Sequence, residues 1–169
     1  MQDLTSELRA LQENSDCSCM ALTKISMCPN GWTLHNDSCY FFYMFRQTWD
    51  DARTTCERFG GHLVAIETME EDDFVKGFID MSKAKSGLNM DKYTWLGATD
   101  HLSEGVWLWV TGEKVALQDW RGGHVEHADS NGQPGVEDCM DYSFGAWNDN
   151  SCAATLPCLC EKEAAFTSN

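Results

Sequence analysis

No run of 18 apolar residues occurs anywhere in the chain, so no segment reads as a transmembrane helix and no membrane insertion is expected. Nor does an apolar stretch follow Met1-Gln2-Asp3, as it would in a secretory leader. Basic residues are scarce, 12 against 27 acidic ones, and the net charge is -15. That balance argues against nucleic acid or an anionic membrane as partner. It suits divalent cations or a mineral surface, and equally a protein that only needs to stay soluble. Paired CxxC motifs are absent. Cys17-Ser18-Cys19 and Cys158-Leu159-Cys160 have the wrong spacing for a zinc finger. There is no nucleophile elbow, and His124-Val125-Glu126-His127 lacks the i, i+4 histidine spacing of a helical zinc protease site. An enzyme is therefore not expected. Internal repeats and low-complexity tracts are missing too.

What is present is cysteine, nine residues in a chain of 169. So many thiols in so short a chain point to an oxidising compartment and a disulfide framework. The expectation is a secreted, extracellular protein whose leader has been removed. Hydrophobic residues make up 43% of the chain, with seven Trp and eight Phe, enough for a packed core. The length fits one domain plus a short appendage.

Residues 1–27 read as that appendage. Leu4, Leu8 and Leu11 form a helical stripe, with Cys17 and Cys19 behind it. Two readings stay open: a neck that pairs two chains into a disulfide-linked homodimer, or a frayed terminus with internal bonds. Residues 28–162 form the domain and residues 163–169 a tail. Cys28 and Cys39 bracket a hairpin-like segment and are a natural local pair. Asn36-Asp37-Ser38 is a glycosylation sequon. Tyr40 to Phe45 reads as a strand. Thr48 and Thr68 each open a helix, with an acid three residues on. The first helix should bury Trp49, Ala52, Cys56 and Phe59; the second, Phe74, Phe78 and Met81. Lys83 to Lys92 reads as a loop. Strands are expected over 93–99, 106–110, 139–142, 145–148 and 156–161. Trp107 and Trp109 share one face. Gly112 to Val136 is irregular and long, as functional loops are. Two helices flanking short strands make an α+β domain.

The chemistry concentrates between Glu137 and Glu161. Carboxylate and amide oxygens crowd there, and calcium takes six to eight such oxygens. Cys139 and Cys152 are placed to staple the loop that presents them. Asn148 and Asp149 are neighbours, so on a strand their side chains point apart. Both can serve one ion only if the Asp149 carbonyl also turns in. Glu137 could reach the same ion from a paired strand.

Several motifs now combine: Cys28-Pro-x-Gly-Trp, Cys39-Tyr, the helix from Trp49 to Cys56, Thr94-Trp95-Leu96-Gly97 and Glu104-Gly105-x-Trp107-x-Trp109. Glu137-Asp138-Cys139, Trp147-Asn148-Asp149 and the closing Cys160-Glu161 complete the set. Over roughly Cys28 to Lys162 the chain resembles a C-type lectin domain. The resemblance implies the C-type lectin-like fold, with two helices flanking short antiparallel sheets and a long calcium-binding loop. It implies disulfides Cys28–Cys39, Cys56–Cys160 and Cys139–Cys152. Three cysteines remain, and Cys158 is expected to bond one of Cys17 and Cys19 while the other joins a second chain.

The resemblance also implies Ca2+ as cofactor and glycans as partners. The ion would be held by Glu137, Asn148 and Asp149, and two adjacent sugar hydroxyls would complete its shell. In the family a Glu-Pro-Asn or Gln-Pro-Asp triplet finishes this site. Here either Gln133-Pro134-Gly135 or Asp129-Ser130-Asn131 stands in its place, each a departure from the pattern. Gln133 tilts the expectation to galactose-type over mannose-type sugars. His127, with His124, and Trp120 could add ring contacts to a sugar face. Asp100 and Glu104, facing Glu137 and Asp138, match an auxiliary calcium position. The competing expectation is a lectin-like module without sugar activity that binds a protein or a mineral surface.

Overall fold

A computed structural model describes residues 25–88, 92–117, 119–120 and 136–167. The appendage through residue 24, with Cys17 and Cys19, lies outside the described residues. So do Gln133, Asp129, Asn131, His124 and His127.

The chain opens with β1 (Ile25–Met27), β2 (Thr33–His35) and β3 (Ser38–Gln47), followed by α1 (Trp49–Arg58), β4 (His62–Leu63) and α2 (Met69–Lys85). Then come β5 (Tyr93–Thr99), β6 (Leu108–Trp109), β7 (Cys139–Ser143), β8 (Ala146–Asn150), β9 (Leu156–Glu163) and β10 (Ala165–Thr167). The main sheet runs β2-β3-β9-β5-β7-β8, with β4 added to β9 and β6 to β5. β1 and β10 pair antiparallel as a separate ribbon. The end of the expected neck is thus joined to the expected tail by backbone hydrogen bonds.

Both helices start as the sequence requires. The Thr48 side chain accepts from the Asp51 N–H, and Thr68 from the Glu71 N–H, so one orphan donor of each first turn is satisfied. Acidic residues fill both first turns, where the helix dipole favours them. α1 buries Trp49, Ala52 and Cys56, although Phe59 stays 42% exposed. α2 departs further from expectation. Its buried stripe is Asp72, Val75, Ile79 and Lys83, while Met81 is 56% exposed and Phe74 and Phe78 are half-buried. A hydrophobic count misses this face because charged residues occupy both its ends. The helix also runs to Lys85, into the segment expected to be loop.

The sheet separates two apolar layers. Towards α2 lie Tyr40, Ile66, Val75, Ile79, Leu96, Trp107, Trp109, Met140 and Trp147. Towards α1 lie Trp49, Cys56, Leu63, Trp95, Cys158 and Cys160. Strand alternation sends Trp95 to one layer and Leu96 to the other. Two indole N–H groups of the α1-side layer are satisfied by backbone: Trp49 donates to the Leu96 carbonyl and Trp95 to the Gln47 carbonyl, each at 2.9 Å.

Among the described residues three disulfides are present, Cys28–Cys39, Cys56–Cys160 and Cys139–Cys152, as the resemblance implies. Cys158 corrects the expectation made for it. It is a free thiol, wholly buried on β9, with Gln47 Nε2 donating to its Sγ at 3.8 Å. Tucked between α1 and the sheet, it cannot meet a cysteine of the N-terminal appendage without opening the core. Burial pushes this thiol up to about 12, so little thiolate exists at neutral pH. Alkylation of the native protein with iodoacetamide, read by peptide mapping, should leave Cys158 unlabelled. It should label fully in denaturant; native labelling would place Cys158 elsewhere.

Candidate functional site

The site is built on the β7–β8 hairpin. Phe144 (φ 50) and Gly145 (φ 89) form its two-residue turn, both left-handed, as a tight hairpin between right-twisted strands demands. The register pairs Cys139 with Asn150, Met140 with Asp149, Asp141 with Asn148 and Tyr142 with Trp147. Alternation therefore puts Trp147 and Asp149 on the α2 face, and Asn148, Asn150 and Asp141 on the other. Cys139–Cys152 ties the start of β7 to the residues just after β8.

Asn148 and Asp149 do point apart, and the carbonyl of Asp149 turns back to meet the Asn148 side-chain amide. An amide N–H beside a carbonyl oxygen differs by a half-turn of the amide from two oxygens side by side, the arrangement a hard cation needs. Asp149 itself is only 5% exposed.

Asp141, which the sequence reading passed over, holds Asn148 in place. Its Oδ2 accepts from Asn150 Nδ2 at 2.8 Å and from Asn148 Nδ2 at 3.4 Å. Burial pushes its carboxyl up to about 7, against the two amide donors and with help from the neighbouring Asp149 charge. Its signal in the sequence was weak: an acid two residues after Cys139, on the strand face that Asn148 shares.

A second group of acids assembles next to the first. Asp100 is 3% exposed, and its Oδ2 accepts from the Gly105 N–H at 2.9 Å. Its Oδ1 is buried without a hydrogen-bond partner among the described residues. Asp138 closes over it: its carbonyl accepts from Thr99 Oγ1 at 2.6 Å and from the Asp100 N–H at 3.2 Å. His101 Nδ1 lies 3.3 Å from Asp138 Oδ2. Desolvation pushes Asp100 up to about 6, and the charges of Glu104 and Asp138 add to it. An orphaned buried carboxylate oxygen among like charges is what a cation would relieve, so Asp100, Glu104 and Asp138 fit the expected auxiliary position. Glu137 is half-buried two residues before β7, and Glu104 is exposed.

Trp120 departs from expectation. It is 6% exposed, its ring packed on Trp107 at 4.9 Å and Trp147 at 6.1 Å, so it serves the core and offers no face to a sugar. A third acidic cluster escaped the sequence reading because its members are far apart in the chain. Tyr40 Oη donates to Glu71 Oε1 at 2.7 Å, Ser38 Oγ to Glu161 Oε1 at 2.8 Å, and the Ala65 N–H to Glu161 Oε2 at 3.1 Å. These bonds fasten β3, α2 and β9 together beside a cavity of about 400 Å³.

Known proteins share the sequence pattern and the fold. The family described as Lectin C-type domain matches residues 45–162. Human C-type lectin domain family 10 member A is 32% identical over 99% of this chain and 48% of its own length. The chain thus spans about half of that relative, and a third of the CD209 antigens it also matches. Among solved structures, the mouse scavenger receptor C-type lectin carbohydrate-recognition domain superposes with a TM-score of 0.70 at 30% identity, covering 82% of this chain and 100% of that one. The cow CD23 carbohydrate-recognition domain, solved in the presence of a GlcNAc2Man3 oligosaccharide, superposes at 0.68 with 28% identity, covering 83% and 99%. On the fold, the three disulfides and these matches, the chain belongs to the C-type lectin family of carbohydrate-binding domains.

Proposed function

We propose that this domain binds carbohydrate through a calcium ion held beside the β7–β8 hairpin, with galactose-type sugars preferred over mannose-type. The observation that carries the reading is the meeting of the Asn148 amide with the Asp149 carbonyl, next to the buried Asp149 carboxylate. Glu137, Asn148 and Asp149 would hold the ion, with Asp129 and Asn131 or Gln133 adding ligands from the long loop. Asp100, Glu104 and Asp138 would hold a second ion that stiffens the loop base. Bound calcium supplies open coordination positions that two neighbouring sugar hydroxyls can fill.

The chain's own residues do the selecting. Carboxylates of Glu137 and Asp149 accept from the sugar hydroxyls, and the Asn148 amide donates to one of them. Asp141 sets the angle of that amide. Cys139–Cys152 keeps the strand ends from drifting. The preference for galactose rests on Gln133, and His127 remains the aromatic candidate for a sugar face. A single site of this kind binds weakly, so pairing through Cys17 or Cys19 into a secreted disulfide-linked homodimer would raise avidity.

Calorimetric titration should give calcium dissociation constants of about 10⁻⁴–10⁻³ M, the range of extracellular modules. Protein loaded with calcium should be displaced from immobilised galactose by free galactose more readily than by mannose. Absence of calcium uptake would defeat the reading; equal displacement by both sugars would defeat the preference.

The pH dependence has a definite sign. In the metal-free protein Asp100 keeps its proton up to about pH 6. Binding below that pH must expel the proton, so affinity at the auxiliary position should fall about tenfold per pH unit below 6 and level off above it. Calcium titrations at pH 5, 6 and 7 check this. An Asp100→Asn variant should lose the slope together with the binding.

A further inference from the structure

Helix α2 sends a charged pair into the back of the hairpin. Asp72 is fully buried there; its Oδ1 accepts the Trp147 indole N–H at 2.8 Å, and its Oδ2 lies 2.6 Å from Lys76 Nζ. The same ammonium lies 2.7 Å from Asp119 Oδ2. Asp119 is in turn bound to β8, because its carbonyl accepts the Trp147 N–H at 2.9 Å. Trp120, the next residue, makes a parallel bridge to Trp147. One lysine thus joins three pieces: the helix, the segment Asp119–Trp120, and the strand residue directly before Asn148.

Stability alone does not account for this arrangement. Asp72 is fully buried while Lys76 and Asp119 keep 20% and 27% of their side chains exposed, and an ion pair that desolvates one partner seldom stabilises a fold more than an apolar cluster of the same volume would. Such a cluster already surrounds this one, in Trp107, Trp109, Trp120, Met140 and Trp147. What ions and directed hydrogen bonds add is orientation. The Asp72 carboxylate fixes the Trp147 ring about its long axis, and Lys76 fixes the carboxylate. With Trp147 immobile, the backbone turn at Asn148–Asp149 has little freedom left.

We infer that Lys76 is a positioning residue for ligand binding, clamping β8 to Asp119 so that Asn148 and Asp149 are preset to receive the cation. The inference rests on the calcium reading proposed above. Residues that orient metal ligands from behind characteristically change affinity by about 10–100-fold when lost.

The test compares Lys76→Met, Lys76→Arg, and the triple variant Asp72→Asn/Lys76→Met/Asp119→Asn with the parent protein. Three quantities are read: thermal unfolding in EDTA, calcium affinity by calorimetry, and amide exchange of 148–150 in EDTA. Lys76→Met leaves two carboxylates uncompensated and should lose both stability and about tenfold in affinity. The triple variant removes those charges and should regain stability, yet its affinity should stay about tenfold down and its β8 amides should exchange faster. Lys76→Arg keeps the ammonium's role and should bind nearly as the parent does. A triple variant with parental affinity and parental β8 protection would overturn the inference, leaving Lys76 a merely structural ion. If the parent itself takes up no calcium, the proposed function fails, and the exchange rates alone decide whether the clamp exists.

Discussion

Replacing Asp149 with Asn should lower calcium affinity about a hundredfold and abolish retention on immobilised sugar. The change keeps the side-chain volume and removes one charge. Because Asp149 is 5% exposed and lies close enough to raise the Asp141 carboxyl, the metal-free protein carries two mutually repelling acids in poorly solvated positions. Losing one of them should leave unfolding in EDTA unchanged or shift it slightly upward. That pairing of outcomes, unchanged fold and lost binding, separates a ligand from a structural residue. Parental calcium affinity in Asp149→Asn would show that the hairpin acid is not a ligand. A collapse of stability in EDTA would show that it is a structural group.

The second large effect concerns Cys56–Cys160. This bridge closes 104 residues of chain, against 11 for Cys28–Cys39 and 13 for Cys139–Cys152. In the chain-entropy account a loop of that size contributes about 4.7 kcal/mol, and loops of the shorter size about 3 kcal/mol. A whole domain is stable by only about 5–15 kcal/mol. Cys56→Ala/Cys160→Ala should therefore lower the unfolding temperature by roughly 15 °C, the largest drop among the three bridges. Cys28→Ala/Cys39→Ala should cost less. Differential scanning calorimetry gives the order; a smaller loss for the long bridge than for the short ones would contradict the entropic account.

How far the chain could be read in advance varied with the range of the interactions. Local rules worked: the threonine caps at Thr48 and Thr68, the alternation of Trp107 and Trp109, and the divergence of the neighbouring Asn148 and Asp149 side chains along a strand. These depend on residues within a turn or a strand of each other. The disulfide pairs came from the family pattern, since spacing alone leaves many connectivities open. The misreadings involve partners distant in sequence or faces masked by charge. Met81 looks like part of the α2 stripe because Asp72 and Lys83 hide the true one. Trp120 reads as a sugar contact because nothing local reveals that its ring packs tilted against Trp107 and edge-on to Trp147. An odd cysteine count points Cys158 to the appendage, whereas its side chain packs with Trp49 and Cys56 of α1. Asp141 carried only a weak signal and Lys76 none, because their roles arise from β7 meeting β8 and from α2 meeting Asp119.

One experiment bears most directly on the whole account. Labelled protein is applied to a glycan array in millimolar calcium and again in EDTA, with Asp149→Asn alongside. Binding to galactose-terminated glycans that disappears in EDTA and is missing in the variant is the expected result. Glycan binding that persists undiminished in EDTA would contradict it.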